Sequence, residues 1–139
     1  MGKILVALDG SKNSIRGLGK AIEIAKADKS KIVGVNVVEL PLSYFITRPK
    51  MEIKNNMAKK AKKIIEDAKK KCNSAGIDFE SKIIPGGDIG YDIVKYAKKQ
   101  KVNTIVIGAR GLNPIKEMFL GSVSNYVLHK SKIPVLIVK

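Results

Sequence analysis

The chain has 139 residues, of which 27 are lysine or arginine and 12 are aspartate or glutamate, giving a formal net charge of +15. This length predicts one domain over residues 1–139, and a hydrophobic content of 45% predicts a globular chain. One cysteine and one histidine exclude an internal disulfide and argue against zinc and thiol-redox sites. Because the N-terminus does not resemble a signal peptide and no run reaches the ~20 apolar residues of a membrane helix, we expect a soluble cytoplasmic protein.

The first half of the chain alternates apolar runs with helical patterns. Residues 3–8 form a short apolar run that predicts a strand buried on both faces, and either Asp9 or Ser11 is placed to cap the helix that follows. Residues 31–38, rich in β-branched side chains, predict a second strand. After a loop at 39–50, a long helix is predicted, with its lysines off a single apolar stripe. The stripe consists of Ile53, Met57, Ala61, Ile64, Ile65, Ala68 and Cys72.

The second half continues the same alternation. Residues 78–84 predict a third strand that ends before Pro85, and Asp88 is placed to cap a third helix. Residues 102–107 predict a fourth strand, which a long loop follows. The remaining elements are a fourth helix and a fifth strand, predicted over 122–130 and 133–138. The βαβαβαβαβ order implies a parallel sheet with helices on both faces, in which ligands bind beyond the carboxyl ends of the strands.

The positive charge has two interpretations. Many lysines lie between Lys54 and Lys71 on the predicted long helix, so a solvated lysine-rich surface is favoured over nucleic-acid binding. The aromatic content of 5% also leaves few side chains on which single-stranded bases could stack. The same surface would attract any polyphosphate ligand, so the charge alone does not select the partner.

The loop after the predicted fourth strand carries the strongest chemical pattern. It contains Gly108-Ala109-Arg110-Gly111, nine further residues and then Gly121-Ser122-Val123-Ser124 at the start of a helix. Glycines let backbone amides approach a ligand closely and adopt positive φ, and a helix N-terminus attracts phosphate. Ser122 and Ser124 would add hydroxyl donors, and Arg110 would pair with a phosphate oxygen. The alternative is a set of ordinary turns; the GxxxxGK(S/T) and GxGxxG phosphate loops are absent from the sequence.

This loop and the rest of the chain resemble the universal stress protein family. The spacing G-x2-G-x9-G-S, at Gly108, Gly111, Gly121 and Ser122, is similar to the family's ATP-binding motif. ILVALDGS at 4–11, VNVVE at 35–39 and LGSVSNYVL at 120–128 resemble its first strand, second strand and C-terminal half.

The resemblance implies both a fold and a ligand. The fold is an open five-stranded parallel sheet of order 3-2-1-4-5 with helices on both faces, Rossmann-like and of the adenine nucleotide alpha hydrolase type. The ligand is ATP, with Mg²⁺ or Mn²⁺ carried by its phosphates and not by a protein metal site. Family members commonly form homodimers through the last strand, which here runs from Ile133 to Val138. Membrane and nucleic-acid partners are not expected.

The resemblance also assigns residues to parts of the nucleotide. Asp9 matches an acidic residue near adenine and ribose, Val37 matches an apolar residue against adenine, and 121–124 surround phosphate and ribose. Arg110 is added as a phosphate ligand because of its charge. The candidate site residues are Ala7, Leu8, Asp9, Val37, Ile107, Gly108, Arg110, Gly111, Gly121, Ser122, Val123 and Ser124. The alternatives are that Asp9 caps the first helix, that Val37 is core and that Arg110 is a surface residue.

The predicted function is binding of ATP by a regulatory or stress-response protein with slow or no turnover. Glu117 is the one carboxylate within the glycine-rich loop, and His129 and Cys72 are expected to be structural. An ATPase or phosphotransferase is the alternative, with a metal between the phosphates and Asp9 or Ser122. Nucleic-acid binding through the lysines is less favoured. Two aromatic residues in the loop at 39–50 either pack there or cover a ligand, namely Tyr44 and Phe45.

Overall fold

The computed structural model describes residues 2–39, 51–111 and 120–139. In chain order they form β1 (Lys3–Ala7), α1 (Lys12–Asp28), β2 (Lys31–Glu39), α2 (Met51–Ser74), β3 (Phe79–Gly86), α3 (Ile89–Gln100), β4 (Thr104–Gly108), α4 (Ser122–Lys130) and β5 (Val135–Val138). Tyr44, Phe45 and Glu117 lie outside the described residues, as does most of the loop predicted at 39–50. Within the described ranges, no helix is long and apolar enough to cross a membrane.

The five strands pair in parallel in the order β3-β2-β1-β4-β5, which confirms the predicted fold. β1 is the central strand, and Leu5 and Val6 are fully buried. Its apolar run shows no alternation because helices cover both of its faces. The strand order reverses at β1, with β2 on one side and β4 on the other, so a crevice is expected beyond the carboxyl ends of β1 and β4.

The helices form two layers, one on each face of the sheet. α1 and α2 pack on the face that carries Ile4 and Leu8, whereas α3 and α4 cover the face that carries Leu5 and Val35. The predicted apolar stripe of α2 is confirmed from Ala61 onward. The side chain of Ile53, the first residue of the stripe, lies outside the described residues. The predicted off-stripe lysines are exposed, namely Lys59, Lys60, Lys62, Lys63, Lys69 and Lys70.

The structure corrects the predicted end of the third strand. β3 continues through Pro85 to Gly86, with Pro85 paired opposite Val38. A proline is tolerated there because β3 lies at the edge of the described sheet, where one side of the strand makes no ladder. The predicted cap of the third helix is confirmed, since the Asp88 carboxylate accepts a hydrogen bond from the Tyr91 amide at 3.2 Å.

Candidate functional site

A cleft of about 580 Å³ opens at the carboxyl edge of the sheet. This volume lies within the range of small-molecule sites, roughly 300–1,000 Å³. All twelve candidate residues line it, and they come from the end of β1, the end of β2, the segment 107–111 and the start of α4. The structure therefore brings the whole predicted set together. Their contact with a ligand stays a prediction.

The turn between β1 and α1 holds Asp9 in a defined orientation. Asp9 Oδ1 accepts a hydrogen bond from the Ser11 amide at 2.8 Å, and Ser11 Oγ accepts one from the Ser14 amide at 3.2 Å. Ser11 is therefore the helix cap, and Asp9 stabilises the turn before it. Gly10 adopts a φ of 84°, which disfavours any residue with a side chain. Asp9 Oδ2 lies beside Gly111, because a Cβ built at Gly111 would be 2.9 Å from it.

The described glycines of the loop after β4 differ in how closely other residues pack on them, and none of them adopts a positive φ. Among the described glycines, positive φ occurs at Gly10 and Gly76. A Cβ at Gly108 would lie 2.8 Å from Asn13 Cβ, so α1 requires glycine there. A Cβ at Gly121 would meet no described atom closer than 3.6 Å. The described atoms thus leave space for a Cβ at Gly121, and Gly121 is one of the residues that line the cleft.

The N-terminus of α4 opens on the cleft without a side-chain cap. Gly121 is the N-cap, and the first intrahelical bond runs from the Asn125 amide to the Gly121 carbonyl at 3.0 Å. The amides of Ser122, Val123 and Ser124 therefore have no intrahelical acceptor, as in the first turn of any helix. These three residues line the cleft. Together with the positive end of the helix dipole, they form a site suited to an anion.

The Ser124 hydroxyl has a different role from the one predicted. It is 2% exposed and donates to the Ala109 carbonyl at 2.7 Å, with the Gly121 carbonyl at 3.1 Å. Ala109 also accepts from the Gly121 amide at 2.7 Å and donates its own amide to Val138 at 2.7 Å. Ser124 therefore fixes the start of α4 to the end of β4. Its proton is engaged by protein carbonyls, whereas its backbone amide has no intrahelical acceptor.

The cleft also has lining residues that the sequence prediction missed. They are Ser11, Ser14, Val35, Asn36, Met57, Lys60, Ala61, Ile64, Ile89 and Ile93. Asn36 is 5% exposed, and its amide group donates to the Leu8 carbonyl at 2.7 Å. A lone asparagine in an apolar strand was the available sequence signal for it. Lys60 was assigned to the solvated lysine face, although its helical spacing from Met57 and Ile64 puts it beside the apolar stripe.

The charged groups of the described lining suit the binding of an anion. The charged side chains among the described lining residues are Asp9, Lys60 and Arg110. No group of three or more potential metal ligands occurs in the described parts of the chain. Cys72 is buried against α1 and β1, and burial raises the pKa of its thiol to about 11, which disfavours the reactive thiolate. His129 is exposed in the last turn of α4, away from the described lining.

A family match, related sequences and similar solved structures agree with one another. The universal stress protein family matches residues 1–139 of the chain. The universal stress protein YxiE of Bacillus subtilis is 37% identical over 151 residues, covering 99% of this chain and 98% of that protein. The structure of MJ0577 from Methanocaldococcus jannaschii is similar with a TM-score of 0.88 at 29% identity, over 99% of this chain and 95% of that one.

A second similar structure contains a nucleotide. The universal stress protein from Archaeoglobus fulgidus in complex with dAMP has a TM-score of 0.77 at 26% identity, over 100% of this chain and 98% of that one. A family match over the full chain and a relative above 30% identity along its whole length agree with the strand order and the glycine spacing. The chain belongs to the universal stress protein family.

Proposed function

We propose that this protein binds ATP in the cleft and acts in the cytoplasm as a nucleotide-dependent regulatory protein, with slow or no turnover. The observation that carries the proposal is the uncapped N-terminus of α4, which lines the same cleft as the Asp9 turn. A helix N-terminus with free amides is a general phosphate site. The dAMP complex of the Archaeoglobus fulgidus relative supports an adenine nucleotide as the ligand class.

The lining suggests how the nucleotide lies. The phosphates bind the amides of 122–124 and the Arg110 guanidinium, which pairs well with phosphate oxygens. The base packs on Val37, an apolar and partly exposed residue at the end of β2, and the ribose lies near Asp9. A divalent cation such as Mg²⁺ would bind the phosphates, because Asp9 is the one carboxylate among the described lining residues.

The composition of the lining supports binding more than turnover. Phosphoryl transfer generally needs a held metal and a residue that positions the nucleophile. The described lining offers Asp9 for these tasks, together with hydroxyls that are partly engaged by protein. We therefore propose ligand-dependent regulation in preference to an ATPase or phosphotransferase.

We also propose that the protein forms a homodimer through β5. This strand lies at the edge of the described sheet, and its four residues are apolar and only partly buried. An apolar edge strand with unpaired backbone groups is a template for pairing with a second copy. Pairing of two β5 strands would extend the sheet across the dimer and cover these side chains.

The first experiment identifies the ligand directly. The protein is purified under native conditions and denatured, and any released nucleotide is identified by its mass. Binding is then measured by isothermal titration calorimetry with ATP. We expect ATP to be released or bound, and folded protein that binds no ATP would contradict the proposal.

The second experiment places the phosphates. We expect Gly121→Val to abolish ATP binding, because its side chain would occupy the space beside the α4 amides. The fold should tolerate the change, since the nearest described atoms to a Cβ there are 3.6 Å away. Gly19→Val is the matched control, because a Cβ at Gly19 meets no described atom within 4 Å and Gly19 lies outside the cleft lining. Unchanged ATP affinity in Gly121→Val would argue against this phosphate position.

A further inference from the structure

Two cationic side chains are among the described residues that line the cleft. Arg110 belongs to the glycine-rich loop, and Lys60 belongs to α2. This lysine is exposed, yet it lines the cleft together with Met57, Ala61 and Ile64 of the same helix. The other lysines predicted off the stripe, including Lys59, are absent from the described lining. Lys60 therefore differs from the neighbouring lysines of α2 in that it lines the cleft.

The direction of α2 places Lys60 at the mouth of the cleft. α2 connects two parallel strands, so it runs antiparallel to them, and its early residues lie toward the carboxyl edge of the sheet. Ile64 packs over the β1–α1 turn, because a Cβ at Gly10 would be 3.1 Å from Ile64 Cδ1. Lys60 precedes Ile64 by one turn, about 6 Å along the helix axis. It therefore lies beyond the turn that carries Asp9, on the solvent side of the cleft.

Among the described residues, positive charge exceeds negative charge at the cleft. Within the described part of the chain, the ion pairs are Lys20–Glu23 and Lys31–Glu80. Lys60 and Arg110 are thus not neutralised by a described carboxylate, and they outnumber the single lining carboxylate, Asp9. The ammonium group sits on a flexible four-carbon stem, so its position can adjust to a bound anion.

We propose that Lys60 makes the cleft selective for nucleotides that carry more than one phosphate. This inference rests on the proposed function. In this arrangement the α4 amides and Arg110 hold the phosphate next to the ribose, and the outer phosphates of a di- or triphosphate extend past the Asp9 turn and pair with Lys60. A monophosphate, such as the dAMP in the Archaeoglobus fulgidus structure, would leave Lys60 without a partner.

The test compares ATP and AMP on the same variants by calorimetry. We expect Lys60→Gln to raise the ATP dissociation constant about fivefold, the size of one favourable exposed charge contact, and to change that for AMP less than about twofold. Lys60→Arg keeps the charge and should retain the ATP preference. The loss in Lys60→Gln should shrink in 1 M salt, where the screening length is about 3 Å.

Lys62→Gln is the matched control on the same helix. Lys62 is also exposed, but it lies about 200° around the helix from Lys60 and does not appear in the described lining. Equal effects in Lys60→Gln and Lys62→Gln, or equal effects on ATP and AMP, would overturn the inference alone. Wild-type protein that binds no adenine nucleotide would overturn the proposed function and this inference with it.

Discussion

Two serines of the first turn of α4 should respond to the same substitution in opposite ways. Ser124 Oγ is buried and donates to the Ala109 carbonyl at 2.7 Å, whereas Ser122 is exposed at the cleft. Ser124→Ala removes a buried hydrogen bond, but Ala109 keeps the amide of Gly121 as a donor, so no buried carbonyl is orphaned. We expect a loss of about 1 kcal/mol in the free energy of unfolding.

This loss can be measured as a change in melting temperature. At about 2.1 cal/mol/K per residue, unfolding of 139 residues carries an entropy of about 0.3 kcal/mol/K, so Ser124→Ala should lower Tm by about 3 °C. Ser122→Ala removes no hydrogen bond seen among the described residues and should leave Tm within about 1 °C. Both values are measured by calorimetry without nucleotide, and chemical denaturation gives an independent free energy.

The affinity for ATP should show the reverse order. A hydroxyl of Ser122 at the phosphate would donate a hydrogen bond to a charged oxygen, so its loss should weaken ATP binding about tenfold. Ser124→Ala keeps its backbone amide, so its effect on affinity should be smaller than that of Ser122→Ala. The reasoning is refuted if Ser124→Ala melts like the wild type and Ser122→Ala is the destabilised variant.

Three further predictions concern packing, assembly and reactivity. Gly108→Ala should destabilise the protein by about 1–3 kcal/mol even without ligand, because its Cβ would lie 2.8 Å from Asn13 Cβ; an unchanged Tm would contradict the packing argument. Val135→Pro should give a monomer in sedimentation velocity, because it removes an amide at the edge where a second β5 would pair. The Val135 amide faces the open edge of β5, whereas the amides of alternate residues pair with β4. A persistent dimer would place the interface elsewhere. Cys72 should react with a thiol reagent at about pH 8 only after unfolding, since burial raises its pKa to about 11; fast labelling of folded protein would contradict this.

Most of the fold was predictable because its signals are local. The apolar run of β1, the stripe of α2 from Ala61 to Cys72 and the Asp88 cap each depend on neighbours in sequence, and the structure confirms them. The end of β3 was not predictable in this way. Proline stops a central strand but not an edge strand, and the position of a strand in the sheet is a tertiary property.

The candidate site also has features that follow from local sequence and features that follow from tertiary contacts. The sequence by itself determined the alternation of strands and helices, the family and the twelve candidate residues, because glycine spacing and apolar periodicity are written along the chain. The tertiary structure decided the function of individual side chains: Ser11 caps α1 in place of Asp9, and Ser124 is tied to Ala109. It also decided which exposed lysine lines the cleft, since lysines on one helix look alike in sequence and differ only in what the packed helix faces. Lys60 meets the cleft because α2 docks with Ile64 over the β1–α1 turn, a contact between segments far apart in the chain.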